Sequence, residues 1–154
     1  MIITAWRITK RRHAKAAFTG AGAKKYGGRW NSPGSALVYT SATQSLALLE
    51  ILVHLQTPEL IHEYVSISVG IDEQLIQRLD PSRLPRDWRA EPVPAQVRNI
   101  GDEWVKSMSS VVLEVPSVLV PAESNFLLNP AHPDFPRLLI GEPVRFAFDE
   151  RFAR

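Results

Sequence analysis

The sequence contains no cysteine, which excludes several classes of function at once. It can form no disulfide bond, no thiolate metal site and no cysteine nucleophile. Its four histidines, at positions 13, 54, 62 and 132, are scattered rather than clustered, so we predict no metal centre. The absence of cysteine also fits the reducing environment of a cytoplasm.

Long apolar runs and a strong excess of one charge are missing as well. No segment is apolar over the length needed to span a membrane, and the N-terminus differs from a signal peptide because its apolar stretch is short. Lys and Arg number 18 against 16 Asp and Glu, a balance too even to argue for nucleic-acid binding. We therefore expect a soluble cytoplasmic protein that binds neither membranes nor nucleic acid directly.

The common nucleotide and hydrolase motifs are absent too. The sequence has no GxGxxG, no Walker motif and no GxSxG. These absences argue against a Rossmann dinucleotide site, a P-loop and the nucleophile elbow of an α/β-hydrolase. Any nucleotide site must therefore be built from other elements.

Strands and helices are predicted in a mixed order over the 154 residues. Branched and alternating apolar residues predict strands at 2–8, 36–41, 63–70, 111–120, 125–129 and 144–148. Apolar periodicity predicts helices at 41–55 and 95–108, and residues 72–79 resemble a helical turn. Because strands and helices do not alternate strictly, we predict an α+β fold, and the length suggests a single domain over residues 1–154.

The segment SATQSLALLEILVHL predicts the clearest helix, and its leucines predict that it is largely buried. Ser41 is the expected N-cap with Gln44 three residues later, and Pro58 follows the end of the helix. Glu50 is an anomaly in this apolar context, since buried carboxylates are rare unless paired. His54 lies on the same face one turn later. The alternative is an exposed Glu–His pair on the solvated side.

The segment YGGRWN suggests an anion site. Glycines let a ligand approach the backbone closely, and the guanidinium of Arg29 can donate a bidentate pair of hydrogen bonds. Tyr39 returns on the next strand, where its ring could stack on a ligand. The alternatives are an exposed arginine in an ordinary hairpin and a tyrosine of the core.

Three polar residues near the C-terminal strands have simple structural interpretations. Ser117 interrupts the apolar segment VPSVLV, and its hydroxyl could bond to the neighbouring backbone. Asn125 and Asn129 are interpreted as residues that support turns.

Taken in order, several segments together resemble the RES-domain family, the toxins of bacterial toxin–antitoxin pairs. They are WRI, GGRWN, LVYTS, LALLEILVHL, VPSVLVP and SNFLLNPAHPDF. The family is named for an arginine, a glutamate and a serine, which match Arg29, Glu50 and Ser117. The resemblance covers nearly the whole chain, although the proline-rich residues 80–95 carry no motif of the family.

The resemblance implies an ADP-ribosyltransferase-like fold, with a split mixed β-sheet and surrounding helices around an NAD cleft. It implies an enzyme with NAD as its substrate and no metal, which cleaves the nicotinamide–ribose bond with water or phosphate. The alternatives are transfer of ADP-ribose to a protein, or a non-enzymatic module that binds a nucleotide or a partner in the same cleft. The implied partner is an Xre-type antitoxin, which carries a DNA-binding module and blocks the active site.

With NAD as the substrate, three residues have catalytic roles under this resemblance. Arg29 would bind the pyrophosphate, and Tyr39 would stack on the nicotinamide or the adenine. Glu50 would stabilise the oxocarbenium-like ribose or bind its hydroxyls. Ser117 and Asn125 would orient the ribose or the carboxamide, and the side chain of His54 would support Glu50.

Overall fold

The computed structural model describes residues 1–55 and 63–153, and within these ranges its strands form one eight-stranded mixed sheet. The strands are β1 Ile2–Lys10, β2 Val38–Ser41, β3 Tyr64–Asp72, β4 Ile76–Arg78, β5 Val112–Pro116, β6 Ser124–Leu128, β7 Leu139–Ile140 and β8 Val144–Phe146. The α-helices are α1 Ala21–Tyr26, α2 Gln44–Leu52 and α3 Ala95–Ser107, joined by short 3₁₀ turns. The predicted α+β class is confirmed.

The sheet is divided into two halves that meet in its middle. The strand order is β4-β5-β6-β2-β1-β3-β7, with β8 also paired to β3, and β4–β5 is the parallel pair. β1 pairs with β3 along its whole length, from Ile2 opposite Asp72 to Lys10 opposite Tyr64. Its pairing with β2 is confined to Trp6 opposite Ser41. The two halves therefore diverge on either side of this junction.

Apolar side chains on both faces of the sheet form the core. The first half of β3 is buried on both faces, because Tyr64 packs against Ala47 of α2, whereas Val65 and Ile67 pack against Ala17. On one face, α3 packs Val97, Ile100 and Trp104 against the sheet, as its periodicity predicts. Met108, which extends the same stripe in sequence, instead ends the helix in a left-handed conformation with φ 55° and is 44% exposed.

Helix α2 corrects two predictions. Its N-cap is Thr43, whose Oγ1 accepts from the backbone N of Leu46 at 3.0 Å, whereas Ser41 belongs to β2. The helix is also less buried than its leucines predict: Leu46 and Ala47 are buried, whereas Leu49 is 42% exposed. The helix packs against β1 and β2. Pro58 lies outside the described residues.

Several boundaries differ from the predicted ones. Of the predicted helical turn at 72–79, Glu73–Leu75 is a 3₁₀ turn, but β4 follows directly as a strand beside β5. β5 ends at Pro116, so residues 117–120 form a turn and not a strand. The short strand β7 has no counterpart in the sequence prediction, since two residues are too few to produce a pattern.

Candidate active site

A cavity of about 960 Å³ opens beside the junction of the two half-sheets. Its walls come from β1, β2, β6, α2 and the loop that follows α1, and its volume lies at the upper end of the range of about 300–1,000 Å³ for ligand sites. Five of the six predicted site residues line it: Arg29, Tyr39, Glu50, His54 and Asn125. A smaller cavity of about 400 Å³ beside Arg11 contains none of them, and Arg11 already pairs with Glu63 at 2.7 Å.

The two glycines before Arg29 serve the geometry of this loop. Gly27 has a φ of 73°, which favours glycine. A Cβ on Gly28 would lie 2.6 Å from the hydroxyl oxygen of Tyr39, so a side chain there would displace the tyrosine. The glycine pair therefore allows the loop to fold closely over Tyr39.

Tyr39 is fixed by its own hydroxyl group. The hydroxyl donates to Oδ1 of Asn31 and accepts from the backbone N of Trp30 at 3.1 Å. Asn31 is fully buried, and its amide donates to the carbonyl oxygens of Ala23, Ser32 and Ser35. Burial raises the pKa of Tyr39 well above its ordinary value. Its ring borders the cavity, while its hydroxyl is engaged in the loop.

Arg29 is directed at a segment of residues 88–93 that we call the strap. Its Nη1 donates to the carbonyl oxygens of Trp88 and Ala90 at 3.0 and 3.2 Å, and its Nη2 contacts Oε2 of Glu91 at 2.7 Å. The side chain of Arg29 is 14% exposed, whereas that of Glu91 is 75% exposed. Arg29 is therefore not the exposed arginine of an ordinary hairpin.

Glu50 is half-buried in the cavity wall. Burial raises the pKa of its carboxyl group, while the hydrogen bond from Ser117 and the neighbouring side chains of His54, Asn125 and Arg29 act in the opposite direction. The carboxylate is thus held in a site that disfavours its charge in the absence of a cation. His54 lies one turn further along the chain and is exposed.

Ser117 lies behind Glu50 and outside the cavity wall. Its side chain is fully buried, and its Oγ donates to Oε1 of Glu50 over a long 3.4 Å. The same oxygen accepts from the backbone N of Leu119 and of Val120, which is the local arrangement considered from the sequence. A direct contact between Ser117 and a ligand is therefore not supported by this arrangement.

Asn125 lies in β6 and not in a turn, because its strand pairs with β2 at Ser41. Its amide donates to Oγ of Ser41 at 3.0 Å and to the carbonyl oxygen of Thr40 at 3.3 Å. Asn129 does support a turn, as predicted, because its Oδ1 accepts from the backbone N of Ala131. Asn125 thus lines the cavity beside Glu50 from a rigid strand.

Sequence reasoning did not identify Arg7 as a site residue. Arg7 lies in β1, lines the cavity and donates from Nη1 to the carbonyl oxygen of Tyr39 at 3.0 Å. Its Nε is buried and has no hydrogen-bond partner among the described residues. A buried donor without a partner is costly in free energy, which marks Arg7 as an unusual residue of the cavity wall. The available signal was an arginine between apolar neighbours in a predicted strand.

Two further classes of site find no support in the part of the chain that the structure describes. No group of three or more His, Asp or Glu side chains in residues 1–55 and 63–153 could hold a metal ion, and His62 falls outside these ranges. Nor does any helix within them have the length and hydrophobicity needed to cross a bilayer.

Together, these features define an α+β protein with a large cleft in which arginine and glutamate side chains converge. The family model of the RES domain matches residues 4–149 of the chain. This chain belongs to the RES domain family.

Two relatives support this assignment, and one solved structure has a similar fold. A protein of Yersinia enterocolitica named Toxin Res is 45% identical over 147 residues, which cover 95% of this chain and 97% of the relative. The Prs ADP-ribosylating toxin of Sphingobium sp. is 35% identical over 159 residues, covering 100% of this chain and 99% of that protein. The crystal structure of the M. tuberculosis MbcT–MbcA toxin–antitoxin complex matches 96% of this chain and 85% of the matched chain, with a TM-score of 0.79 and 17% identity, which shows a shared fold.

Proposed function

We propose that this protein is the toxin of a bacterial type II toxin–antitoxin pair and that it consumes NAD by cleaving the nicotinamide–ribose bond. The observation that carries the proposal is the presence of Arg29 and the half-buried Glu50 in the walls of one cavity. The first suits the pyrophosphate of NAD, and the second suits the positive charge that develops on the ribose. Membership of the RES domain family and the names of the relatives support the same conclusion.

In this mechanism, Arg29 binds the pyrophosphate, and Arg7 contributes a second positive charge to the cavity wall. The bond between the ribose carbon and the nicotinamide nitrogen breaks, and its electron pair leaves with nicotinamide. The carboxylate of Glu50 stabilises the oxocarbenium-like ribose, or binds its hydroxyls, while the ring of Tyr39 stacks on the nicotinamide or the adenine. Water or phosphate then bonds to the ribose carbon. When water is the acceptor of the ribosyl group, its proton passes to the solvent.

The remaining predicted residues act mainly on Glu50. Ser117 donates to its carboxylate and keeps it oriented. Asn125 lies in the cavity wall and also lowers the pKa of Glu50, and from there it can contact the ribose or the carboxamide. His54 adds a favourable charge when protonated. These three side chains counteract the effect of burial on Glu50.

A second reaction has a specific observation in its favour. The 35% identical relative from Sphingobium is named an ADP-ribosylating toxin, and transfer to a protein uses the same first bond cleavage. A module that merely binds a nucleotide or a partner is less well supported, because it would have no use for the unfavourable burial of Glu50.

The same proposal includes an antitoxin of the Xre type that occludes the cavity. The solved structure with the shared fold is a toxin–antitoxin complex, which supports an antitoxin partner in general. Near the mouth of the cavity, the apolar side chains of Tyr26 and Val53 are 74% and 56% exposed, which suits a protein surface that covers them.

Incubation of the purified protein with NAD tests the activity. We expect release of free nicotinamide, together with ADP-ribose when water is the acceptor or a phosphorylated ADP-ribose when phosphate is. Mass spectrometry of a candidate target protein detects the transfer reaction. Failure of the protein to release nicotinamide under all these conditions would exclude an NAD-consuming enzyme.

A further inference from the structure

We propose that Glu91 is an internal competitor that occupies the anion-binding side of Arg29 until an anionic ligand displaces it. The inference rests on the proposed function only for the identity of that ligand, the pyrophosphate of NAD. It assigns a regulatory role to a residue in the proline-rich segment that carries no motif of the family.

The two terminal nitrogens of the Arg29 guanidinium have different kinds of partner. A guanidinium has five N–H donors. Both donors of Nη1 are taken by the carbonyl oxygens of Trp88 and Ala90, and Nη2 contacts the carboxylate of Glu91. Departure of Glu91 would therefore free Nη2 to act with Nε on a phosphate, while Nη1 keeps its backbone partners.

The rest of the strap is anchored independently of Glu91. Nε of Arg89 donates to the carbonyl oxygen of Val118, a residue of the cavity wall, at 2.9 Å. The ring of Trp88 packs against that of the buried Trp30, with 6.3 Å between their centroids. After Glu91, Val93 packs against the same apolar cluster as Trp88. The strap is therefore held before and after Glu91, and the movable part is the carboxylate of Glu91.

The exposure of the two partners makes this pair easy to exchange. Arg29 is mostly enclosed at 14% exposure, whereas Glu91 at 75% exposure can rotate into solvent. Because Glu91 keeps most of its contact with water in the ion pair, water screens the attraction and competes for its carboxylate. A ligand that needs Arg29 binds more weakly in proportion to the fraction of time that Glu91 holds it. A dinucleotide makes further contacts in the cavity, and their free energy helps it to displace Glu91. A small anion has only its interaction with Arg29 with which to displace Glu91.

The test compares Glu91→Gln with a matched control, Glu103→Gln. Glu103 lies on α3, is 71% exposed and pairs with Arg83 at 3.5 Å. It does not line the cavity, so the two variants each remove one exposed, paired carboxylate, but only one of them acts at the site. Calorimetry with ADP-ribose, inorganic pyrophosphate and uncharged nicotinamide as probes measures binding to the whole chain. Each substitution is also made in an Arg29→Lys background.

We expect Glu91→Gln to tighten the binding of ADP-ribose and pyrophosphate by about two- to tenfold, with no change for nicotinamide. Glu103→Gln should leave all three dissociation constants unchanged, and the gain should disappear in Arg29→Lys. Unchanged or weaker binding of both anions to Glu91→Gln overturns the inference, as does an equal gain in Glu103→Gln or a gain that persists without Arg29.

The outcome also separates this inference from the proposed function. If Glu91→Gln tightens pyrophosphate while the wild-type protein releases no nicotinamide from NAD, the competitor role stands and the NAD chemistry is wrong. If NAD is cleaved but the anion affinities do not respond to Glu91→Gln, the chemistry stands and the competitor role is wrong.

Discussion

The hydroxyl of Tyr39 lies 2.5 Å from Oδ1 of Asn31 and uses its proton in that hydrogen bond. The hydroxyl oxygen of Tyr39 also accepts a hydrogen bond from the backbone N of Trp30, the residue that follows Arg29. The hydroxyl therefore both donates and accepts a hydrogen bond within the loop that carries Arg29. Tyr39 therefore offers a ligand only its ring, and its hydroxyl positions the arginine.

Tyr39→Phe tests this division of roles. The substitution keeps the ring but leaves the buried Oδ1 of Asn31 without its donor, so we expect a loss of about 1–3 kcal/mol in the free energy of unfolding. NAD should also bind more weakly, because the backbone beside Arg29 loses a restraint. Urea denaturation and calorimetry measure the two effects. A variant with wild-type stability and affinity contradicts the positioning role.

Glu50→Gln should lower turnover and raise stability at the same time. Loss of one preorganised charge typically costs about 10²–10³ in rate. Burial raises the pKa of Glu50 in the folded protein, so the ionised carboxylate destabilises the fold at neutral pH, and a neutral amide removes that cost. Nicotinamide release and thermal denaturation at pH 7 measure the two quantities. Wild-type turnover would rule out the catalytic role of Glu50.

The same raised pKa predicts the pH dependence. As the pH falls through the folded-state pKa of Glu50, the carboxylate is protonated and turnover should decline at a higher pH than for an ordinary carboxyl group, whose pKa is about 4.3. The stability gap between wild type and Glu50→Gln should close over the same range, because both side chains are then neutral. A gap that stays constant with pH would show that Glu50 is not the group responsible.

Ser117→Ala separates orientation of Glu50 from contact with the substrate. The hydrogen bond from Ser117 lowers the pKa of Glu50, so its removal should raise that pKa further and move the acid limb of the turnover profile to higher pH. The KM for NAD should change little, since Ser117 is fully buried behind the carboxylate. A large rise in KM with an unmoved acid limb would instead indicate a direct contact with the substrate.

Arg29→Lys keeps the charge but loses the planar fork. We expect NAD to bind about tenfold more weakly or worse, because charge-assisted hydrogen bonds to the pyrophosphate are lost. Arg83→Lys is the control, since Arg83 makes an exposed ion pair away from the cavity. The dissociation constant of NAD is measured for both proteins. Equal affinity in Arg29→Lys and wild type would remove Arg29 from the binding site.

The success of sequence reasoning differed among the residues of this site. Glu50 and Arg29 were accessible because each contradicts its local surroundings, a carboxylate among leucines and a guanidinium beside two glycines. The burial of Arg7 was not accessible, since it follows from the central position of β1 in the sheet. The contact between Glu91 and Arg29 could not be predicted for another reason: the two residues are 62 positions apart in the sequence, and Glu91 lies in a segment without periodicity.

The leucines of α2 show a further limit of sequence patterns. They predict burial, yet Leu49 and the C-cap residue Val53 are exposed. The prediction fails because the composition of a helix does not reveal how many of its sides meet another element. The same exposed side chains now bear on the proposed antitoxin. These apolar side chains lie beside a cavity that contains charged residues, and a partner protein could bind over both.

We predict that the antitoxin occludes the cavity by placing its chain terminus or an acidic side chain on Arg29. Glu91 already makes this contact within the chain, at 2.7 Å, so a carboxylate from a partner meets a geometry that accepts it. The alternative is binding to a remote face. Under occlusion, saturating ADP-ribose should slow assembly of the complex, and the complex should bind no NAD. Val53→Glu, which adds a charge to the apolar surface beside the mouth, should also weaken assembly. A preformed complex that binds NAD with the affinity of the free toxin would contradict occlusion and place the antitoxin elsewhere.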